Sequence, residues 1–117
     1  ALLATKIPGL QDQLFKLLSQ DIGKAALLAG DYSAEQRIAA FLISTSRRYA
    51  ERGFSATQLL MPMTRADMAN YLRLAPETVS RVLRRLQDLK IISVDRRVFV
   101  LLQYDALERM AMPVLRS

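Results

Sequence analysis

The sequence predicts a mainly α-helical domain closed by a small antiparallel β hairpin, and three observations predict it. Apolar residues recur at three- and four-residue spacings along most of the chain, in stretches bounded by capping or breaking residues. A short helical stretch, "RADMANYL", is followed after the break "RLA" by a longer one, "PETVSRVLRRLQDLK". Two β-branched runs, "IISV" and "VFVLL", then flank "DRR" and read as a hairpin.

Each element has a local cause. After "IPG" at 7–9, Leu14, Leu18, Ile22 and Ala25 form a narrow apolar stripe within residues 1–31, whose three lysines and three aspartates cancel. Such a stripe is either core or a seam that pairs with a second copy. "GDYSAEQ" breaks the chain and restarts it, with Ser33 as N-cap and Gln36 as its capping-box partner. The helix that follows, 34–52, carries Ile38, Phe41, Leu42, Thr45 and Tyr49 on one face and ends at Gly53. Arg47, Arg48 and Arg52 near its end suit the negative pole of the helix dipole. "QLLMPM" (58–63) predicts an edge strand, because Pro62 has no N–H to give a ladder. Thr64 caps the eight-residue helix, with Asp67 at its third position. Pro76 suits the first turn of the next helix, which is expected to reach Lys90. A last helix over 105–112 is expected to stop at Pro113. The chain thus divides into an appended segment, 1–31, and a folded domain, 32–117.

Composition narrows the function classes. Among 117 residues there is no cysteine and no histidine. Disulfides, thiolate metal sites, a cysteine nucleophile and the commonest general base are therefore absent. The acidic residues are scattered rather than gathered to hold a metal, so an enzyme is not expected. No apolar run approaches the roughly 20 residues of a membrane span, and the start lacks the plan of a signal peptide. A cytoplasmic protein with no membrane partner is expected. Of the net charge of +6, residues 64–97 supply +4, through eight basic against four acidic side chains. Basic surface of this kind attracts nucleic acid or anionic lipid.

A short helix, a three-residue break, a longer helix and a hairpin make a winged helix-turn-helix. Ala69 supplies the small residue where the two helices cross, and Met68, Leu72, Leu74, Val79 and Val82 supply their shared core. If the second helix enters a major groove, its first turns carry the groups that read base edges. Arg81 can donate two bonds to guanine, Glu77 can accept from cytosine, and Ser80 is small enough to let the helix sit close. A glutamate facing a polyanion makes sense as a base reader or as the partner that holds Arg81 one turn away. The plainer alternative is a surface pair between Glu77 and Arg81, worth about 0.3–0.5 kcal/mol.

The stretch "MTRADMANYLRLAPETVSRVLRRLQDLKII" resembles the winged helix-turn-helix of the Crp/Fnr family of bacterial transcription regulators, with "ETVSR" matching its recognition-helix signature. The serine before the arginine, with "SAEQRIAAFLISTSRRYAERGFS" and "IPGLQDQLFKLLSQ", resembles its fumarate–nitrate reductase regulator branch. The resemblance implies Glu77, Ser80 and Arg81 on base edges, and phosphate contacts from Arg65, Thr78, Arg84 and Arg97. It implies a TTGAT-type half-site in an inverted repeat, and a homodimer held by Leu14, Leu18, Ile22 and Ala25. It also implies an activator that meets RNA polymerase, with residues 44–58 as candidates by elimination. Family members carry an N-terminal sensor barrel, which in the oxygen-responsive branch binds an iron–sulfur cluster through cysteines. This chain has neither, so it is expected to hold no cofactor itself and to be the C-terminal fragment of a longer regulator, with the end of the dimerisation helix and a linker over 1–31 and the DNA-binding domain over 32–117. Three departures stand out. Arg73 occupies a position that is usually glycine, at a cost of about 1 kcal/mol if its φ is positive. Ala75 replaces a capping serine or threonine. The wing turn has no glycine. A winged-helix module binding an acidic protein partner is the alternative reading of the same basic helix.

Overall fold

The computed structural model describes residues 32–116. They form a winged helix-turn-helix of four helices and one three-stranded antiparallel sheet. In chain order these are α1 (Ala34–Glu51), β1 (Gln58–Leu60), α2 (Arg65–Leu72), α3 (Pro76–Asp88), β2 (Ile92–Asp95), β3 (Val98–Leu101) and α4 (Tyr104–Leu115). The expected segment 1–31, with Leu14, Leu18, Ile22 and Ala25, lies outside the described residues.

Helix α1 is the centre of the domain. Its start is the expected capping box: the Gln36 N–H donates to the Ser33 hydroxyl at 3.1 Å, and the Ser33 N–H donates to Gln36 Oε1 at 2.9 Å. One buried face was expected, but every residue from Ile38 to Ser46 is buried. A helix enclosed on all sides must be apolar or internally bonded all round. Ala39 and Ala40 let neighbours approach, and the Thr45 hydroxyl donates to the Phe41 carbonyl at 2.8 Å. The Ser46 hydroxyl donates to the Ala56 carbonyl and lies 3.3 Å from the Tyr104 hydroxyl, joining α1 to its following loop and to α4. Residues 44–58 therefore cannot serve whole as a polymerase surface. Ser44, Thr45, Ser46 and Tyr49 are interior: α4 packs along α1, and the Tyr49 hydroxyl donates to the Leu60 carbonyl of β1.

The sheet order is β1-β3-β2, so β1 is an edge strand and joins the wing. It pairs Gln58 with Val100 and Leu60 with Val98, and the Met61 N–H adds a 2.7 Å bond to the Arg97 carbonyl. The ladder stops before Pro62, as a residue without an N–H requires. Strands β2 and β3 pair Ile92 with Leu101 and Asp95 with Val98, leaving Arg96 and Arg97 as a two-residue turn. Tight turns of this length place their first central residue at positive φ, and Arg96 has φ 58°.

Helix ends follow one pattern three times. Gly53, Arg73 and Lys90 have φ of 85°, 58° and 60°, and each starts a pair of back-bonds that close the preceding helix. At the first, Phe54 donates to the Tyr49 carbonyl at 2.8 Å, and the two rings lie 5.7 Å apart. At the second, Leu74 donates to Ala69 at 2.9 Å and Arg73 to Asn70 at 3.3 Å. At the third, Ile91 donates to Leu86 at 2.9 Å. That motif ends α3 at Asp88, two residues before the expected end at Lys90. The Arg73→Gly variant is expected to gain about 0.5–1 kcal/mol by relieving the left-handed conformation, read as a higher thermal midpoint. An unchanged or lower midpoint would mean that the arginine side chain offsets its own backbone strain.

The last helix overruns Pro113, contrary to the expected stop, and continues to Leu115. Proline removes one bond and crowds the carbonyl four residues back. Here that carbonyl belongs to the exposed Arg109, near the helix end, while Ala111 and Val114 are fully buried. Packing on α1 outweighs the local penalty.

Candidate nucleic-acid interface

Helices α2 and α3 meet across Ala69, which is 1% exposed, with Met68, Leu72, Val79, Val82, Leu83 and Leu86 buried around it and Leu74 partly so. The turn between them is pinned from behind: Arg37 Nη1 donates to the Leu72 carbonyl at 3.3 Å, meeting one carbonyl that the end of α2 leaves open. At the start of α2 the Thr64 hydroxyl accepts from the Asp67 N–H at 3.1 Å. Ala75 makes no such bond at the start of α3, where Pro76 takes the first position instead.

With Val79, Val82, Leu83 and Leu86 turned inward, the spacing of 3.6 residues per turn sends the opposite row outward. Glu77, Arg81 and Arg84 are exposed, and Thr78 and Ser80 are half-buried. Asp88 continues the row at its far end, so the face is cationic in its middle and acidic at its C-terminus. Among the described residues Glu77 and Arg81 form no ion pair, with each other or with a neighbour, so the plain surface pair is not made.

Some of the arginines are tied up in ion pairs within the domain. Arg47 pairs with Glu108 at 3.4 Å, Arg48 with Glu51 at 3.0 Å, and Arg85 with Glu35 at 3.3 Å. These pairs tie α4 to α1, close the last turn of α1, and fasten the flank of α3 to the start of α1. Among the described residues Arg65, Arg81, Arg84, Arg96 and Arg97, which lie on α2, α3 and the wing, make no ion pair, and neither do Arg52, Arg73, Arg109 and Arg116 elsewhere on the domain. Arg65 lies at the start of α2 and Arg97 in the wing turn, and both line one cavity with Arg96. Sequence reasoning named Arg65 and Arg97 separately and missed both Arg96 and the convergence. The adjacent pair in "DRR" was the only local sign. Beside this group Tyr49 donates its hydroxyl to the Leu60 carbonyl. Burial pushes its pKa up to about 12 against the opposing pull of Arg97, so it stays neutral and adds no negative charge there.

No group of three or more acidic, histidine or cysteine side chains suited to a metal occurs among the described residues. No helix among them is long and apolar enough to cross a membrane.

This geometry has counterparts. Residues 36–110 match the family model of the Crp-like helix-turn-helix domain. The chain belongs to the Crp-like helix-turn-helix family. It is 46% identical over 95 residues to the anaerobic regulatory protein of Pasteurella multocida, a match covering 79% of this chain and 35% of that protein. It is 39% identical over 112 residues to the fumarate and nitrate reduction regulatory protein of Escherichia coli K12, covering 93% of this chain and 45% of the relative. The structure of FixK2 from Bradyrhizobium japonicum superposes with a TM-score of 0.63 at 36% identity, over 72% of this chain and 41% of that one. The chain therefore spans less than half the length of these relatives. The described domain is a Crp-like helix-turn-helix, in which α3 turns its inner face to the core and its outer row to solvent.

Proposed function

We propose that this domain binds double-stranded DNA sequence-specifically, with α3 in the major groove of a TTGAT-like inverted repeat. The observation that carries the reading is the outward row of α3, where an unpaired glutamate and arginine stand one turn apart beside a small serine. Thirteen residues make a rod of about 20 Å, and the major groove is about 12 Å wide, so the first two turns reach the base edges. Arg81 takes the guanine, Glu77 the cytosine opposite, and Ser80 allows the close approach. Arg65, Thr78, Arg84 and Arg97 hold phosphates on either side, fixing register without reading sequence. Asp88 marks where the contact ends.

Two copies related by a two-fold axis place their α3 helices about 34 Å apart, in successive grooves. The stripe of Leu14, Leu18, Ile22 and Ala25 is proposed to hold them together. The parent regulator is proposed to be cytoplasmic, with any signal-binding cofactor, such as an iron–sulfur cluster, held outside these residues. A contact with RNA polymerase is proposed only for the exposed part of 44–58, around Arg52 and Phe54.

The test is fluorescence anisotropy with a labelled TTGAT inverted repeat and a scrambled duplex of equal composition, at about 150 mM salt. Preference for the palindrome is expected. Arg84→Ala and Arg97→Ala are expected to weaken both duplexes alike and to lower the salt slope by about one each. Equal, salt-sensitive binding to both duplexes by the unaltered chain would point instead to a basic winged helix that serves an acidic protein partner.

A further inference from the structure

The cavity between the start of α2 and the wing turn has more apolar lining than a phosphate contact needs. Its volume is ≈ 250 Å³, and Met61, Met63, Met68 and Phe99 line it together with Thr64, Arg65, Arg96 and Arg97. The four apolar residues are between 0% and 6% exposed, so the cavity floor is part of the core and not a patch of open surface. Methionine is the most adaptable of the apolar side chains and suits a site that closes on a small apolar group. The three arginines make no ion pair among the described residues, although they crowd one opening. Like charges brought together without a counterion favour an anion between them.

We propose that this cavity binds a small amphipathic carboxylate: an apolar body of roughly eight carbons on the methionine floor, with its anionic head among Arg65, Arg96 and Arg97. A bare phosphate group satisfies the rim and leaves the floor wet. An uncharged apolar molecule satisfies the floor and leaves the arginines without an anion. A ligand carrying both parts answers both halves of the lining, and the volume lies just below the range of drug-sized sites. Occupancy has a consequence for the domain. It neutralises Arg65 and Arg97, so it weakens DNA binding at the phosphates while leaving base reading on α3 untouched. This second step rests on the reading of those two arginines as phosphate anchors; the binding step does not.

The experiment follows the methyl signals of the five methionines by carbon–proton NMR during titration with sodium octanoate, octanol or inorganic phosphate at constant sodium. Octanoate is expected to shift Met61, Met63 and Met68 saturably, with a Kd on the order of 0.1–1 mM. Met110 and Met112 on α4, outside the cavity, serve as internal controls. Arg96→Gln alters an exposed turn residue and no assigned DNA contact; it is expected to weaken octanoate roughly tenfold and leave octanol unchanged. No shift with octanoate, the same shifts with phosphate alone, or an Arg96→Gln variant that binds octanoate normally would each overturn the assignment. In a parallel anisotropy series, octanoate is expected to lower affinity for the palindrome and the scrambled duplex by one common factor. Unchanged DNA affinity at saturating octanoate would overturn the coupling. Absence of palindrome preference without octanoate would instead strike the base-reading proposal and leave the cavity result standing.

Discussion

Replacing Arg81 with alanine is expected to lower affinity for the TTGAT inverted repeat by about 5- to 150-fold, the equivalent of roughly 1–3 kcal/mol per lost base contact. The loss is specific because Arg81 is exposed, makes no ion pair among the described residues and is not part of the buried core that Val79, Val82, Leu83 and Leu86 build. The thermal midpoint is therefore expected to stay where it was. Duplexes altered at the guanine are expected to bind the variant about as well as the unaltered site does. Competition anisotropy across the guanine substitutions measures this directly. If the variant lost affinity equally for every sequence while keeping its preference, Arg81 would be one more phosphate anchor, and the assignment of α3's outer row would fail.

Replacing Phe41 with alanine is expected to do the opposite. Phe41 is fully buried at the middle of α1, and its ring lies 5.7 Å from that of Tyr71 on α2, tilted by 57°. Truncating a buried phenylalanine costs about 3–5 kcal/mol through lost transfer energy and an unfilled cavity. A domain of this size holds only about 5–10 kcal/mol in total. The midpoint is expected to fall by roughly 12 °C or more, and DNA binding at the growth temperature of a mesophile is expected to fall with it. At low temperature, where the variant is folded, the ratio between cognate and scrambled duplexes is expected to match the parent's. Calorimetry paired with anisotropy at 10 °C separates the two effects. A lost ratio in a folded variant would mean that α1 sets the angle of α3 and does not merely support it.

The features legible in the sequence are those governed by neighbours a few residues away. Ser33 with Gln36, and Thr64 with Asp67, announce helix starts because the bonds run over three residues. Glu77, Ser80, Arg81 and Arg84 fall on one side because helical spacing leaves them no other arrangement once Val79, Leu83 and Leu86 are inside. The left-handed turn at Arg73 was foreseeable as a position in a known pattern; its arginine gives no sign of it. What stayed hidden depends on partners distant in the chain. Pro113 looks like a stop until Val114 is seen packed into the core. Ser46 looks like a surface residue until its hydroxyl is seen between the Ala56 carbonyl and the Tyr104 hydroxyl of α4. Arg85 looks like Arg84 beside it in the sequence, yet it is bound to Glu35 some fifty residues earlier. The meeting of Arg65 with Arg96 and Arg97 is of the same kind: only the fold of the sheet brings the wing turn to the start of α2.

The pairing of β1 with β3 makes residues 61–97 a closed loop, tied at its neck where Leu60 faces Val98 and the Met61 N–H donates to the Arg97 carbonyl. Everything proposed to read DNA lies inside that loop. Closing it costs chain entropy that grows with its length, and the ladder repays this only after α2, α3 and β2 have collected between the two strands. Contacts so far apart in sequence slow folding, and they also bind the region's fate together. Once the neck is shut, α2 and α3 cannot loosen far without straining it, so amide protons in β1, α3 and β3 should exchange with solvent at nearly one common rate. A nascent chain released before Val98 has emerged would carry every base-reading residue and still lack the closure that holds them in place.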